Sequence, residues 1–193
     1  MTILPQEFYF EDTTKVAKNL LGKILHIKTT GPEKLARIVE VEAYLGINDP
    51  ACHTFGGRNT PRVKSMYLQG GHAYVYMIYG MYYCLNFVTR TTEHPEAVLI
   101  RAVEPLPSIE NPRKKDLFTN GPGKLCKHYE ITKNQDGVSL WRKNAALYVS
   151  EDGYKVSKSQ IVVRPRIGVD YAGEAAQWPL RFYLKDNPFV SKK

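Results

Sequence analysis

The sequence predicts an α+β fold over a single domain, residues 1–193: a curved, mostly antiparallel sheet with flanking helices and one protruding β-hairpin. Three observations carry this. Strand-like stretches come in runs and do not alternate one for one with helices, which favours an antiparallel sheet over a βαβ array. Residues 37–45, Arg-Ile-Val-Glu-Val-Glu-Ala-Tyr-Leu, alternate apolar and polar side chains with the period of a strand. Gly80 separates two aromatic, β-prone stretches, which marks a tight hairpin. With 193 residues, 43% hydrophobic and 24% charged, the chain suits one buried core and excludes a disordered polyelectrolyte.

The elements follow in order. Asp12 to Leu21 reads as a short helix: Asp12 caps it, Val16, Ala17, Leu20 and Leu21 form one apolar stripe, and Gly22 suits the position after its end. Lys23 to Thr29 and Leu35 to Leu45 read as strands turning at Gly31-Pro32. Gly46 to Gly71 is irregular, with turn residues at Asn48-Asp49-Pro50, Gly56-Gly57 and Thr60-Pro61. His72 to Tyr79 and Met81 to Thr89 make the hairpin, and Ala97 to Val103 a further strand. Helical pieces are expected around Ser108 to Phe118 and from Gly121-Pro122 through Tyr129. Strands return at Ala146 to Val149, Gln160 to Arg166 and Leu180 to Leu184. No internal repeat or low-complexity linker interrupts this order.

Several classes of function lose support at once. Ser65 to Thr89 carries no charge, yet Gln69, Gly70, Gly71, His72, Gly80 and Asn86 make it a poor membrane span. The N-terminus shows no secretory signal. Cys52, Cys84 and Cys126 are an odd count without a C-x-x-C pair, which argues against a disulfide framework and fits a reducing, intracellular setting. Cys52-His53 has no second pair at ligand spacing, so no metal is expected. Gly121-Pro122-Gly123-Lys124 lacks the P-loop spacing, and neither a dinucleotide fingerprint nor a serine elbow is present; no cofactor is implied. A formal net charge of +8 fits a polyanionic partner, nucleic acid before membrane.

Two features carry chemistry. Along residues 37–45, Val39, Val41, Ala43 and Leu45 project to one side and Glu40, Glu42 and Tyr44 to the other, spaced about 6–7 Å apart. Two acids and a phenol in line suit a site that breaks a sugar bond, the acid orienting water and the aromatic ring stacking on a flat group. The plainer reading is a solvated sheet face. Secondly, Pro50 to Thr92 contains no Asp or Glu, where the chain average would place about four. It carries Arg58, Arg62, Lys64 and Arg90 with six tyrosines, as a segment lying on a phosphate backbone would. Tyr74, Tyr82 and Tyr83 read as cross-strand packing. Tyr79, directly before Gly80, crowns the hairpin, where a wedge can unstack a base step.

Arg37-Ile-Val-Glu-Val-Glu-Ala-Tyr-Leu-Gly46, Cys52-His-Thr-Phe-Gly-Gly-Arg-Asn-Thr-Pro-Arg62 and Tyr74-Val-Tyr-Met-Ile-Tyr-Gly-Met-Tyr-Tyr-Cys-Leu-Asn86 resemble the alkyladenine (3-methyladenine, or methylpurine) DNA glycosylases. The likeness continues through Val98-Leu-Ile-Arg-Ala-Val-Glu-Pro105, Gly121-Pro-Gly-Lys-Leu-Cys126, Arg164-Pro-Arg-Ile-Gly-Val169 and Pro179-Leu-Arg-Phe-Tyr183, in the family's order, and resembles its compact bacterial form. The resemblance implies a monofunctional glycosylase of base excision repair. Such an enzyme flips alkylated or deaminated purines (3-methyladenine, 7-methylguanine, hypoxanthine, ethenoadenine) from duplex DNA, hydrolyses the N-glycosidic bond and leaves an abasic site. It implies Glu42 as the acid that activates water, with Arg101 and the Ile167 carbonyl helping to hold that water. It implies Tyr44, His53 and Tyr76 as the base pocket, Asn86 as the group crowding the guanine 2-amino, and Tyr79 as the DNA-inserting residue. Glu40 has no role in the family pattern, and Asp170-Tyr171 departs from that of some members. Arg58, Arg62 and Lys64 are expected on the DNA backbone. No lyase activity, no cofactor, a monomeric state, and a cytoplasmic or nucleoid (in a eukaryote, nuclear) location complete the expectation. Three other classes stay open: a damage binder that releases nothing, a glycoside hydrolase using Glu40 and Glu42 as its pair, and an RNA-binding module.

Overall fold

The computed structural model describes residues 1–29 and 31–193. Among the described residues, nine strands join in one curled, antiparallel sheet: β1 (Thr2–Ile3), β2 (Ile24–Ile27), β3 (Lys34–Tyr44), β4 (Ala73–Ile78), β5 (Tyr82–Thr89), β6 (Glu96–Leu106), β7 (Leu147–Glu151), β8 (Ile161–Arg164) and β9 (Arg181–Leu184). The spatial order is β1-β7-β2-β3-β6-β5-β4. The sheet forks at β3, whose Lys34–Arg37 pair with β2 and whose Glu40, Val41 and Glu42 pair with β9, while β6 runs along its other edge. Helix α1 (Thr13–Leu20) packs over β3 and β6, and α2 (Pro122–His128) over β5 and β6. Both cover the core face.

α1 forms as its sequence dictates. The Asp12 carboxylate accepts from the backbone N–H groups of Thr14 and Lys15, and Val16, Ala17 and Leu20 are fully buried. On β3 the predicted division of faces holds for Val39, Val41 and Ala43, which join the main core beneath the helices. Leu45, expected with them, lies past the strand end and is only half-buried.

Two register shifts along β3 and β6 decide the geometry. Ile38 opposes Val103 and Glu40 opposes Ala102, so Val39 is an extra residue on β3; Val41 then opposes Ile100, so Arg101 is extra on β6. Such bulges re-aim a side chain. Here they bring adjacent residues into the core together, Ile38 with Val39 and Ala102 with Val103, while Arg101 keeps the ordinary alternation between Ile100 and Ala102 and so faces Glu40 and Glu42.

Elsewhere the structure corrects the sequence reading. Ser108 to Phe118 holds a single 3-10 turn, Lys114–Asp116, and no longer helix. Pro112 removes an N–H donor there, and Asn111 before it sits at φ 48°, outside helical space. The hairpin's last paired residues are Ile78 and Tyr82, leaving a three-residue tip, Tyr79-Gly80-Met81. Tyr79 (φ 54°) and Gly80 (φ 68°) are both left-handed, a conformation that glycine adopts without strain and tyrosine does not. β4 is a sheet edge, and its exposed groups at Val75 are taken up by side chains: the N–H donates to Asp136 (2.8 Å) and the carbonyl accepts from Lys133 Nζ (3.2 Å). No helix among the described residues is long and apolar enough to cross a membrane.

Candidate active site

The acids of β3 do not solvate a sheet face. Glu40 and Glu42 are both 0% exposed, which overturns the plainer reading. Ionised groups that deep persist only when paired and hydrogen-bonded, and both are. Glu42 Oε1 accepts from the Ile167 N–H at 2.8 Å and lies 3.2 Å from an Arg101 terminal nitrogen. Its Oε2 accepts from the Tyr44 hydroxyl at 2.9 Å. Burial nonetheless wins over Arg101 and these hydrogen bonds, and the Glu42 carboxyl is held above its ordinary range. For Ile167 the recorded contact is its N–H on Glu42; its carbonyl was the group expected at the site.

Glu40 is occupied on every side. Oε1 accepts from Arg101 Nε (3.2 Å) and an Arg181 terminal nitrogen (2.9 Å), and Oε2 from the Ser191 N–H (2.6 Å). An acid so engaged has no free oxygen with which to protonate a leaving group, which counts against a glycoside-hydrolase pair.

Above this charged layer lies a cavity of about 510 Å³, a volume suited to a small ligand or a single base. Tyr44, Arg101 and Ile167 all line it, so every group that closes the Glu42 carboxylate is itself part of the cavity wall. The acid therefore stands one layer behind that wall, with no surface of its own open to solvent. The expected pocket residues His53, Tyr76 and Asn86 converge here from the 50–54 loop, β4 and β5.

Each is held. His53 Nδ1 is 2.9 Å from the Tyr74 hydroxyl, and its ring meets Tyr76 edge to face at 4.5 Å. Burial, reinforced by Arg62 and Arg58, pushes His53 down to about 4, so its imidazole is neutral at pH 7. A neutral ring can hydrogen-bond a base edge without repelling a cationic one. The Asn86 amide donates to the Tyr74 carbonyl at 3.1 Å, which fixes its plane. Tyr44 lies under Arg166, whose guanidinium carbon is 4.7 Å from the ring centre.

The hairpin tip leans over the cavity mouth. Tyr79 is 83% exposed yet borders the cavity, and Met77, Met81 and Tyr82 add apolar surface beside it. Arg62 also borders the cavity and donates to the Met77 carbonyl at 3.2 Å, tying the loop to the hairpin. Arg58 and Lys64 are exposed on the same loop, away from the cavity lining.

Some contributors carry no sequence signal. Tyr74, read as cross-strand packing, also lines the cavity and holds His53. Tyr171, 71% exposed, closes the rim from the 3-10 segment Asp170–Gln177 and donates to the Ala51 carbonyl at 3.1 Å. Beneath it, Arg166 grips Asp49 with both terminal nitrogens, at 2.5 and 2.8 Å, pinning that segment to the 46–53 loop. Only a buried bidentate pair reaching across 117 residues could have revealed this, and such pairs leave no local pattern.

The chain is similar to known proteins along nearly its whole length. Residues 7–188 match the methylpurine-DNA glycosylase family. A Bdellovibrio bacteriovorus protein named for 3-methyladenine DNA glycosylase is 71% identical over 191 residues, covering 99% of this chain and 100% of its own length. A Clostridium novyi protein of the same name is 46% identical over 207 residues, covering both chains fully, and one from Bacillus thuringiensis is 46% identical with 98% of each covered. A family match over residues 7–188, with relatives covered nearly end to end, settles the membership: the chain belongs to the methylpurine-DNA glycosylase family.

Proposed function

We propose that residues 1–193 act as one monofunctional DNA glycosylase domain that extrudes an alkylated or deaminated purine and hydrolyses its N-glycosidic bond. The observation that carries this reading is the Glu42 carboxylate, fixed by Arg101 and the Ile167 N–H immediately behind an aromatic cavity of about 510 Å³. A base within a duplex is out of reach, so it is flipped, at a cost of a few kcal/mol that is smaller for damaged or mispaired bases. Tyr79 fills the gap left behind, and the basic surface supplies sequence-independent affinity for duplex DNA.

In the cavity the base stacks between Tyr44 and Tyr76. A purine alkylated at N3 or N7 is cationic, and an aromatic face attracts it by about 0.5–2 kcal/mol. Asn86 crowds the 2-amino group of guanine. As the Tyr44 ring turns to stack, its hydroxyl releases Glu42 Oε2, and a water takes that place. Glu42 accepts the proton of this water as its oxygen attacks C1′, and the alkylated base leaves neutral without protonation. Hypoxanthine, neutral at the start, must gain a proton to leave and is released more slowly. No amine stands in the motif as a nucleophile, so no imine forms and the strand is not cut. The location follows the substrate: inside the cell, with the DNA, as a monomer.

Incubation with alkylated and inosine-containing duplexes, followed by chromatography of the free bases, tests the reading. Wild type releases 3-methyladenine, and Glu42→Gln binds the duplex but releases it about 10²- to 10⁴-fold more slowly. Release by Glu42→Gln at the wild-type rate defeats the assignment, and a borohydride-trapped protein–DNA adduct defeats the exclusion of lyase chemistry.

A further inference from the structure

We infer that Glu40 is a positioning residue that holds both groups facing Glu42 Oε1, and does so through a network closed by the Ser191 backbone. The inference rests on the reading of Glu42 as the base. Glu42 Oε1 has two partners, Arg101 on β6 and the Ile167 N–H. Each is secured from Glu40. Arg101 gives its Nε–H to Glu40 Oε1 at 3.2 Å, and this fixes the guanidinium plane so that a different nitrogen faces Glu42. Arg181 gives a terminal N–H to the same oxygen at 2.9 Å and its Nε–H to the Pro165 carbonyl at 3.1 Å, two residues before Ile167.

The far side of the network is closed by residues 191 and 192. The Ser191 N–H binds Glu40 Oε2 at 2.6 Å, Ser191 Oγ accepts from Arg101 at 3.4 Å, and the Lys192 carbonyl accepts from Arg181 at 2.7 Å. Two carboxylates and two guanidiniums thus balance inside a buried cluster. Without Glu40 the cluster keeps both guanidiniums and the single carboxylate of Glu42, which Arg101 alone of the two contacts.

That charge imbalance supplies a readout that a purely structural role would not move. The groups facing Glu42 are Glu40 and Tyr44 on its own strand, Arg101 on β6, Tyr76 and Cys84 on the hairpin, and Arg166 and Tyr171 on the 165–177 segment. Among these Glu40 is the other carboxylate, and as a like charge it disfavours ionised Glu42.

The test is single-turnover release of 3-methyladenine from a lesion duplex across pH, for wild type, Glu40→Gln and Glu42→Gln. Glu40→Gln is expected to slow release by roughly 10- to 100-fold, the scale of a small misplacement of reacting groups. Its Kd for the lesion duplex stays within about twofold of wild type, since Glu40 touches no cavity surface. The acid limb of its pH profile moves to lower pH. A folded Glu40→Gln with the wild-type rate, or with an acid limb that stays or moves up, overturns the inference.

Should Glu40→Gln fail to fold, Arg181→Lys carries the test: it keeps a cation on Glu40 and loses the Nε–H to Pro165. Release slowed by about tenfold at unchanged Kd supports the network, and a wild-type rate overturns it. Glu42→Gln keeps the two ideas apart. If it releases base at the wild-type rate, the reading of Glu42 fails; if it is slowed while Glu40→Gln is unchanged, only the present inference falls.

Discussion

The β3 floor and the hairpin tip are built on opposite principles. On the floor every charge is buried and answered: Glu42 has no exposed surface, and its oxygens are closed by Arg101, Ile167 and Tyr44. At the tip nothing is charged and little is buried, with Tyr79 83% and Met81 68% exposed. On the floor Arg101 and the Ile167 N–H hold Glu42 Oε1 in place before any ligand arrives, the kind of preorganisation that electrostatic catalysis requires. The tip holds apolar surface in water, which is favourable only once a partner covers it. The molecule thus keeps its paired charges inside and its unpartnered apolar surface outside.

Perturbing each region should give a different signature. The largest effect is expected from Glu42→Gln, which should reduce base release by about 10²- to 10⁴-fold while leaving duplex binding intact; quantifying free 3-methyladenine against Kd checks it. Arg101→Met comes next. It strips the guanidinium from two buried carboxylates and should cost about 3–5 kcal/mol of stability, read from urea unfolding. At the tip, Tyr79→Ala should leave Tm unchanged and slow release about tenfold on a paired lesion, but hardly at all on an unpaired one. Equal losses on both substrates would break the division between floor and tip.

The pH dependence sharpens the contrast further. Burial raises Glu42, so the folded chain binds its proton more tightly than the unfolded one does. Stability from this group therefore declines as pH rises from the ordinary glutamate value through the raised one. With Glu42 as the proposed base, activity is expected to run the other way: release should fall as pH drops through the raised value, and Glu42→Gln should abolish that limb. The smallest effect is expected outside the cavity, where Arg58→Ala or Lys64→Ala should each lower the salt slope of duplex binding by about one if that residue contacts a phosphate.

The difference between floor and tip also explains what could be read in advance. The hairpin, the α1 cap and the two faces of residues 37–45 are legible because each depends on neighbours a few residues apart. The tip needs only Gly80 and flanking β-prone residues, and Tyr79 is exposed whatever the rest of the chain does. Alternation alone puts Glu40 and Glu42 together on one strand face and leaves a catalytic site and a solvated face both open. Their burial depends on β9, on the 165–167 segment and on Ser191, the last 151 residues from Glu40. Arg101 likewise sits in a strand apolar on both sides of it, so its own alternation does not tell which of the two faces meets Glu40 and Glu42. Its role came from resemblance, and its placement from pairing with β3. Ser108 to Phe118 fails for a local reason, since Pro112 and the left-handed Asn111 outweigh its helix formers.

Taken alone, the chain's order of residues determined the strand periods, the position of the hairpin turn, an acid-free basic stretch and the family motifs, because these are properties of adjacent bonds and local composition. Tertiary structure decided which acid faces the cavity wall and which is locked by two arginines and a backbone N–H, and how far Glu42 is pushed from its ordinary ionisation. Those outcomes depend on desolvation and on charges delivered by distant segments, and both come into being only when the sheet closes.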